Sequence, residues 1–256
     1  MPGWRTHQQA FLCALQFLTQ IPVRLAGVPD SRIQGLALLY YPLVGLLIGV
    51  LLWLCAALTG WLPVAVQAAL VLLIWCVISG GLHLDGLADS ADGWMGGLGD
   101  RQRTLSIMKD PHIGATGVIA LLLQLLLKWS LLQALLPLDS ALALLLAPTA
   151  GRALALLLLA TTPYASPGGI ASGMLAGLNP RRLYPLLTVM GLILLWAGWL
   201  WLALPALLFW GWRRAQLARL GGATGDTAGA LIELTESAVL LAALISRLPM
   251  PLGGAL

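Results

Sequence analysis

Three aspartates follow one another at helical spacing in GGLHLDGLADSADGWMGG, residues 80–97. At about 100° per residue on an α-helix, Asp85, Asp89 and Asp92 fall within an arc of roughly 60°. Three carboxylates on one stripe repel one another, and a bound cation removes that repulsion. Oxygen ligands without nearby thiols suit Mg²⁺, or Mn²⁺, better than Zn²⁺ or Cu²⁺. We therefore predict that the stripe binds a divalent metal and carries the catalysis; the alternative is a solvated helix end.

A second acidic cluster lies in GGATGDTAGALIELTE, residues 221–236. On a helix, Asp226 and Glu233 would share nearly the same azimuth, because they are seven residues apart. Asp226 follows a Gly-rich turn, so metal ligation and helix N-capping are equally open interpretations. Glu233 lies within an apolar helix and is interpreted as supporting the site or as holding a base inside the bundle.

Basic and histidine side chains complete the candidate site. Lys109 and Asp110 precede an apolar segment, and Arg152 lies inside APTAGRALALLLLA, where it needs an anionic partner. These three residues are predicted to bind substrate phosphate, with a structural ion pair as the alternative for Arg152. No firm role is assigned to His83 or His112. For His83, the preferred interpretation is a histidine that makes a single structural hydrogen bond. Metal, acids and cations together are typical of phosphate or pyrophosphate chemistry.

The elements that must hold these residues are membrane helices. Of the 256 residues, 59% are hydrophobic and 9% are charged, whereas soluble domains carry about 25% charged residues. We attribute the net charge of +4 to lysines and arginines in loops, which set the orientation of the helices in the membrane. No basic run indicates nucleic-acid binding. We predict an all-α, polytopic transmembrane bundle of about six to seven membrane helices, some broken or interfacial. It would form a single integral membrane catalytic domain over residues 1–256.

The predicted interfacial helix covers residues 8–21, and the predicted spans are 36–58, 64–82, 114–136, 141–160 and 227–246. The apolar run 183–212 is harder to interpret. As one straight helix it would run roughly 45 Å and place the arginines that follow it opposite the other loop bases. We therefore predict a break at Gly198 or Pro205, which also puts Asp226 on the side of Asp85.

Five segments in order carry a resemblance to a known family. They are FLTQIPV (17–23), YYPLVGLLIG (40–49), GGLHLDGLADSADG (80–93), RTLSIMKDPHIGATG (103–117) and GGATGDTAGALIEL (221–234). Together they resemble the cobalamin synthase family, the adenosylcobinamide-GDP ribazoletransferases. The string H-L-D-G-L-A-D-x-x-D-G is the most specific part, whereas the apolar spans carry little information.

The resemblance implies a reaction, its substrates and a location. A hydroxyl of α-ribazole, or of its 5′-phosphate, attacks the cobinamide-side phosphorus of adenosylcobinamide-GDP. GMP leaves, and adenosylcobalamin or its 5′-phosphate forms, with Mg²⁺ required. Family members are multi-pass proteins of the cell inner membrane, so membrane lipids are expected partners, with the active site facing the cytoplasm. The oligomeric state stays open, a homo-oligomer included, as do the number of metals, the general base and the preferred form of ribazole.

The resemblance also implies residue roles. Carried over position by position, it implies metal binding by Asp85, Asp89, Asp92 and Asp226. Lys109, Asp110 and Arg152 also match family positions. The family commonly has Ser-Arg where this chain has Pro111-His112, so no phosphate-binding role is carried over to His112.

Two alternatives remain on the sequence alone. A CDP-alcohol phosphotransferase also uses clustered aspartates on membrane helices, but its pattern is D-x-x-D-G-x-x-A-R, whereas this chain has D-G-x-x-D-x-x-D-G. A cation transporter could use the acids as an ion path. Transporters often show inverted repeats, and none is detected in this sequence.

Overall fold

The fold is a bundle of α-helices, taken here from a computed structural model that describes residues 3–25, 27, 29–139, 141–166 and 170–248; for 170–172 it describes the backbone alone. No strand occurs within these residues. The helices are α1 (Trp4–Leu18), α2 (Ser31–Leu38), α3 (Tyr41–Leu58), α4 (Val64–Ser79), α5 (Leu82–Gly96), α6 (Arg101–Ile107), α7 (Ala115–Leu135, continued by a 3₁₀ turn at Leu136–Leu138), α8 (Ala141–Thr161), α9 (Ile170–Ala176), α10 (Pro180–Ala197), α11 (Trp199–Leu220) and α12 (Gly225–Ile245).

The prediction of six to seven membrane helices was too high. Among the described helices, four are long and apolar enough to cross a membrane: α3, α7, α8 and α12. The pair α4 and α5 would count as a fifth, broken span or a re-entrant segment. The difference arises because α4 ends at Ser79, after 16 residues, and because α10 and α11, the two halves of the run 183–212, are not apolar enough to count as spans. The four apolar helices still make the chain a multi-pass membrane protein.

The predicted break in the run 183–212 occurs at Gly198, between α10 and α11. Gly198 has φ +152°, a backbone conformation that L side chains rarely adopt. Pro205 was the other predicted position, but it lies inside α11, which continues through it.

The C-terminal end of α11 contacts the ends of α5 and α8. Arg213 donates to the carbonyl oxygen of Thr161 at 2.8 Å, and Arg219 donates to that of Trp94 at 2.5 Å. The bases that follow the run 183–212 therefore lie on the side of α5, as the predicted break requires.

The centre of the bundle is α8, which packs along α3 and also along α12. At Gly45 and Gly49, α3 lies so close to the backbone of α8 that an added Cβ would come within 3 Å of it. Small residues at such crossings are typical of membrane helix pairs, because backbones then pack by direct van der Waals contact.

A sharp bend directs α5, which carries the three aspartates, across the bundle. Gly80 and Gly81 have φ +63° and +71°, and α5 leaves α4 at 86°. Left-handed backbone of this kind favours glycine. After the bend α5 packs against α12 and α7, which places the two acidic clusters side by side.

Candidate active site

The two acidic clusters meet at a cavity of about 300 Å³. Asp85 of α5 and Asp226 of α12 both line it, with His83 beside Asp85. Tyr164 and Ser166 contribute polar atoms from the loop that follows α8. The other walls are largely apolar, formed by Phe17, Leu18, Leu82, Ala155, Leu159, Met174, Ala228 and Ile232. Such a cavity, apolar with a few convergent polar groups, is typical of a small-molecule site.

Asp89 lies where four negative charges come together. The carboxylates of Asp85, Asp92 and Asp226 are all close enough to act electrostatically on that of Asp89, which is partly buried. Like charges at this spacing raise the free energy of the ionised form unless a cation is present. The fold therefore brings together carboxylates from both predicted clusters.

Asp92 has a second, structural role that its spacing did not reveal. Its two carboxylate oxygens accept hydrogen bonds from the backbone N–H groups of Gly114 at 2.7 Å and Gly117 at 2.8 Å. These groups belong to the start of α7, where unpaired N–H groups and the helix dipole favour a negative charge. Asp92 thus ties α5 to α7, and its predicted metal role competes with these bonds.

Asp226 is not the N-cap of α12, which removes one of its two interpretations. Thr224 is the N-cap, and its hydroxyl accepts from Thr227 N–H at 3.2 Å while the Thr227 hydroxyl accepts from Thr224 N–H at 2.9 Å. Ala223 is in turn paired with the loop after α8, since its carbonyl accepts from Ala165 N–H at 2.8 Å. Asp226 is therefore held in the first turn of α12 by its neighbours and does not itself cap the helix.

Lys109, Asp110 and His112 lie in the exposed loop between α6 and α7. Asp110 accepts from His112 N–H at 3.0 Å and lies 2.7 Å from His112 Nδ1. These hydrogen bonds hold the pKa of Asp110 below its usual value. The charge of Lys109 acts on Asp226, so Lys109 belongs to the surroundings of the cavity, whereas Asp110 and His112 pair with each other at the surface.

Two bases and two acids form a buried cluster inside the bundle. Lys128 of α7 donates to Glu233 at 2.6 Å and also to Glu236, and Arg152 of α8 donates to Glu236. None of the four is more than 3% exposed. Glu233 therefore holds a base, as one of its interpretations predicted. The ion pair of Arg152 matches its structural alternative, and the phosphate-binding role of Arg152 stays a prediction.

His83 connects this cluster with the cavity. Its Nδ1 lies 3.4 Å from the Arg152 guanidinium, which can only donate, so Nδ1 accepts. The neutral ring then carries its proton on Nε2 and has no second lone pair with which to take a proton. His83 makes the single hydrogen bond expected of it and is better suited to donate from Nε2 than to act as a base.

A family comparison decides among the predicted activities. A profile described as cobalamin-5-phosphate synthase matches residues 10–244. The chain belongs to this family. The match covers both acidic clusters. We therefore reject the two alternative activities, a phospholipid synthase and a cation transporter.

Proteins similar to the chain agree with this assignment. Adenosylcobinamide-GDP ribazoletransferase of Pseudomonas fluorescens is 51% identical over 235 residues, which are 90% of this chain and 97% of that protein. The protein of the same name from Pseudomonas aeruginosa is 53% identical over 238 residues, 91% of this chain and 97% of the relative. No solved structure matches the chain. The chain is a transferase of cobalamin biosynthesis.

Two residues of the candidate site and its surroundings, Tyr164 and Lys128, were not identified from the sequence. Tyr164 lines the cavity, and burial together with the charge of Asp226 raises the pKa of its phenol, so the hydroxyl stays a donor. No motif marks it in the sequence. Lys128 could have been identified from the sequence, because a single base in an apolar stretch needs a buried acidic partner.

The donor set suits Mg²⁺ by its chemistry. Asp85, Asp89 and Asp226 offer carboxylate oxygens, and no cysteine lines the cavity within the described residues. In that same part of the chain, no three His, Cys, Asp or Glu side chains lie close enough to enclose an ion. An open set of this kind fits Mg²⁺, which usually binds one or two carboxylates together with substrate phosphates.

The spacing of α5 and α12 depends on Gly86. A Cβ on Gly86 would lie 2.6 Å from the carbonyl oxygen of Asp226 and 2.9 Å from its Cα. We expect Gly86→Ala to push Asp226 away from Asp85 and lower turnover by about 100-fold, because small displacements of reacting groups cost that much. Turnover per folded molecule measures the effect. Gly191→Ala in α10 is the control, since its Cβ would meet nothing within 4 Å; equal activity in both variants would contradict the prediction.

Proposed function

We propose that the chain joins adenosylcobinamide-GDP to α-ribazole or its 5′-phosphate and releases GMP. The observation that carries the proposal is the shared cavity of Asp85 and Asp226, with Asp89 beside them, in a member of the cobalamin-5-phosphate synthase family. The family description favours the 5′-phosphate as the acceptor, with adenosylcobalamin 5′-phosphate as the product.

The chemistry requires an activated hydroxyl and a stabilised leaving group. The hydroxyl oxygen of the ribazole bonds to the phosphorus that carries cobinamide, while the bond from that phosphorus to the bridging oxygen breaks. GMP leaves with the electron pair, and one of the cavity carboxylates accepts the hydroxyl proton. Tyr164 can donate a hydrogen bond to a phosphate oxygen, and Lys109 supplies positive charge near Asp226.

One or two of Asp85, Asp89 and Asp226 would hold Mg²⁺, or Mn²⁺ as a substitute, together with phosphate oxygens of the substrate. The ion would neutralise phosphate charge that three carboxylates would otherwise repel. Asp92 is the fourth predicted ligand, and its bonds to Gly114 and Gly117 make it the weakest of the four.

The cavity is proposed to face the cytoplasm from the inner membrane. Support comes from the bases on its side of the bundle, where Arg213 and Arg219 contact the ends of α8 and α5. Arginine and lysine collect in cytoplasmic loops, so this side is the expected cytoplasmic one.

The test is turnover by the purified protein in lipid. The protein is incubated with adenosylcobinamide-GDP, Mg²⁺ and either α-ribazole or α-ribazole 5′-phosphate, and both GMP and the cobamide product are measured by mass spectrometry. We expect GMP and product in equal amounts, and loss of both with chelator. Folded protein that makes no product from either acceptor would refute the proposal, and full activity with chelator would refute the metal.

A further inference from the structure

A second pocket, of about 380 Å³, lies away from the carboxylates. Two arginines from distant parts of the chain line it, Arg32 of α2 and Arg182 of α10. Leu36 and Leu39 form an apolar side, and Asn179 stands at the start of α10. No residue of this pocket lines the cavity of Asp85 and Asp226, so it is a separate site.

The positive charge of the two arginines at the pocket is not balanced by acidic side chains. No acidic residue lines it, and within the described ranges neither Arg32 nor Arg182 has a carboxylate within ion-pair distance. Both side chains are exposed. Two like charges at one pocket repel each other, and an anion between them removes the repulsion. The planar donor fork of arginine suits phosphate oxygens in particular.

The pocket is held in shape by a close backbone crossing. At Gly35 of α2, an added Cβ would overlap the backbone of Gly177, in the turn that leads into α10. Leu178 N–H donates to Leu175 O at 3.2 Å, and Asn179 caps α10 by accepting from Arg181 N–H at 3.0 Å. Arg32 and Arg182 are therefore presented by elements fixed against each other.

The rest of α10 indicates that the pocket lies at the membrane surface. After its two arginines, α10 exposes large apolar side chains: Val189 at 55%, Leu192 at 60%, Leu195 at 49% and Trp196 at 79%. In a multi-pass protein such a face contacts lipid. Arginines at the end of a lipid-facing helix lie at headgroup depth, where phosphate is abundant.

We propose that Arg32 and Arg182 form a binding site for a phosphate group, distinct from the reaction cavity. One source of that group is the headgroup of an anionic phospholipid, whose acyl chain would contact Leu36 and Leu39. The other is a soluble phosphate compound that enters from the water side. Both sources use the same recognition, two guanidinium groups on one phosphate.

The experiment measures binding to the full chain in a neutral detergent by calorimetry. One arm uses dihexanoyl phosphatidylglycerol, with dihexanoyl phosphatidylcholine as the reference, and the other uses inorganic phosphate. Arg32→Gln with Arg182→Gln removes the site. The matched control is Arg24→Gln with Arg181→Gln, which removes two exposed charges that do not line the pocket. Thermal unfolding checks that both double variants are folded.

We expect the pocket variant to bind about tenfold more weakly or not at all, and the control to stay within about twofold of the unaltered protein. Binding of phosphatidylglycerol alone identifies a lipid headgroup as the source, and binding of inorganic phosphate identifies a soluble phosphate. The proposal is overturned if neither probe binds the unaltered protein, or if both double variants lose affinity equally. Because the readout is binding, failure here is distinguishable from failure of the proposed reaction.

Discussion

Asp89→Asn is expected to lower turnover by about 1,000-fold or more while leaving the fold intact. Asp89 is the residue on which the charges of Asp85, Asp92 and Asp226 converge. Asparagine has nearly the same shape but cannot supply a carboxylate to a metal or accept a proton at neutral pH. The loss should appear in turnover per folded molecule, together with a weaker dependence of activity on Mg²⁺ concentration.

The control for this variant is Asp30→Asn. Asp30 caps α2 by accepting from Ile33 N–H at 2.7 Å, and asparagine caps helices about as well as aspartate. The substitution removes one carboxylate that does not line the cavity, so activity should be retained. Near-normal turnover in Asp89→Asn would exclude Asp89 from both the metal site and the proton-accepting role, and would leave Asp85 and Asp226 as the candidates.

Lys128→Met is expected to destabilise the protein by roughly 3–5 kcal/mol. Lys128 is 2% exposed and compensates Glu233 and part of Glu236. Without it, two carboxylates are buried with Arg152 as the remaining base of the cluster. Equilibrium unfolding in mixed detergent micelles, at fixed lipid content, measures the change in free energy of unfolding.

A double substitution separates the interaction of Lys128 with Glu233 from the other contacts of Lys128. Lys128→Met with Glu233→Gln removes one charge of each sign and leaves Arg152 paired with Glu236. The double variant should therefore be more stable than Lys128→Met alone, and its cost should fall below the sum of the two single costs by a coupling free energy of about 1–3 kcal/mol. Strict additivity of the two single substitutions would show that Lys128 acts independently of Glu233, for example through its cation–π contact with Trp75, whose ring centre lies 4.6 Å from its Nζ.

Several parts of the site could be predicted because they depend on local spacing or on the general cost of charge in lipid. The stripe of Asp85 and Asp89 follows from helical periodicity alone. The need of Arg152 for an anion follows from its apolar surroundings, although the sequence did not say which acid would pair with it. The break at Gly198 was predicted from length, since a straight helix over 183–212 does not fit a bilayer.

Other features depended on contacts between distant elements. Asp92 has the same spacing as its neighbours, yet it binds the backbone of Gly114 and Gly117 because α7 begins beside it. The helix cap is Thr224 and not Asp226, because Thr224 and Thr227 accept hydrogen bonds from each other's backbone N–H groups. The number of spans was overestimated because α4 ends early, at the turn of Gly80, and because α10 and α11 are not apolar enough to count as spans.

By itself, the sequence determined that this protein is a helical membrane protein with acidic motifs of one enzyme family. The membrane bundle follows from composition and the acidic stripe from short-range periodicity, whereas the family follows from the resemblance of the motifs. Only the tertiary structure decided which carboxylates face one another, since that depends on the 86° bend before α5 and on the contact of Gly86 with Asp226. It also brought Arg32 and Arg182 to the same pocket. Pairings of this kind arise from backbone packing between elements far apart in the chain, which no local pattern records.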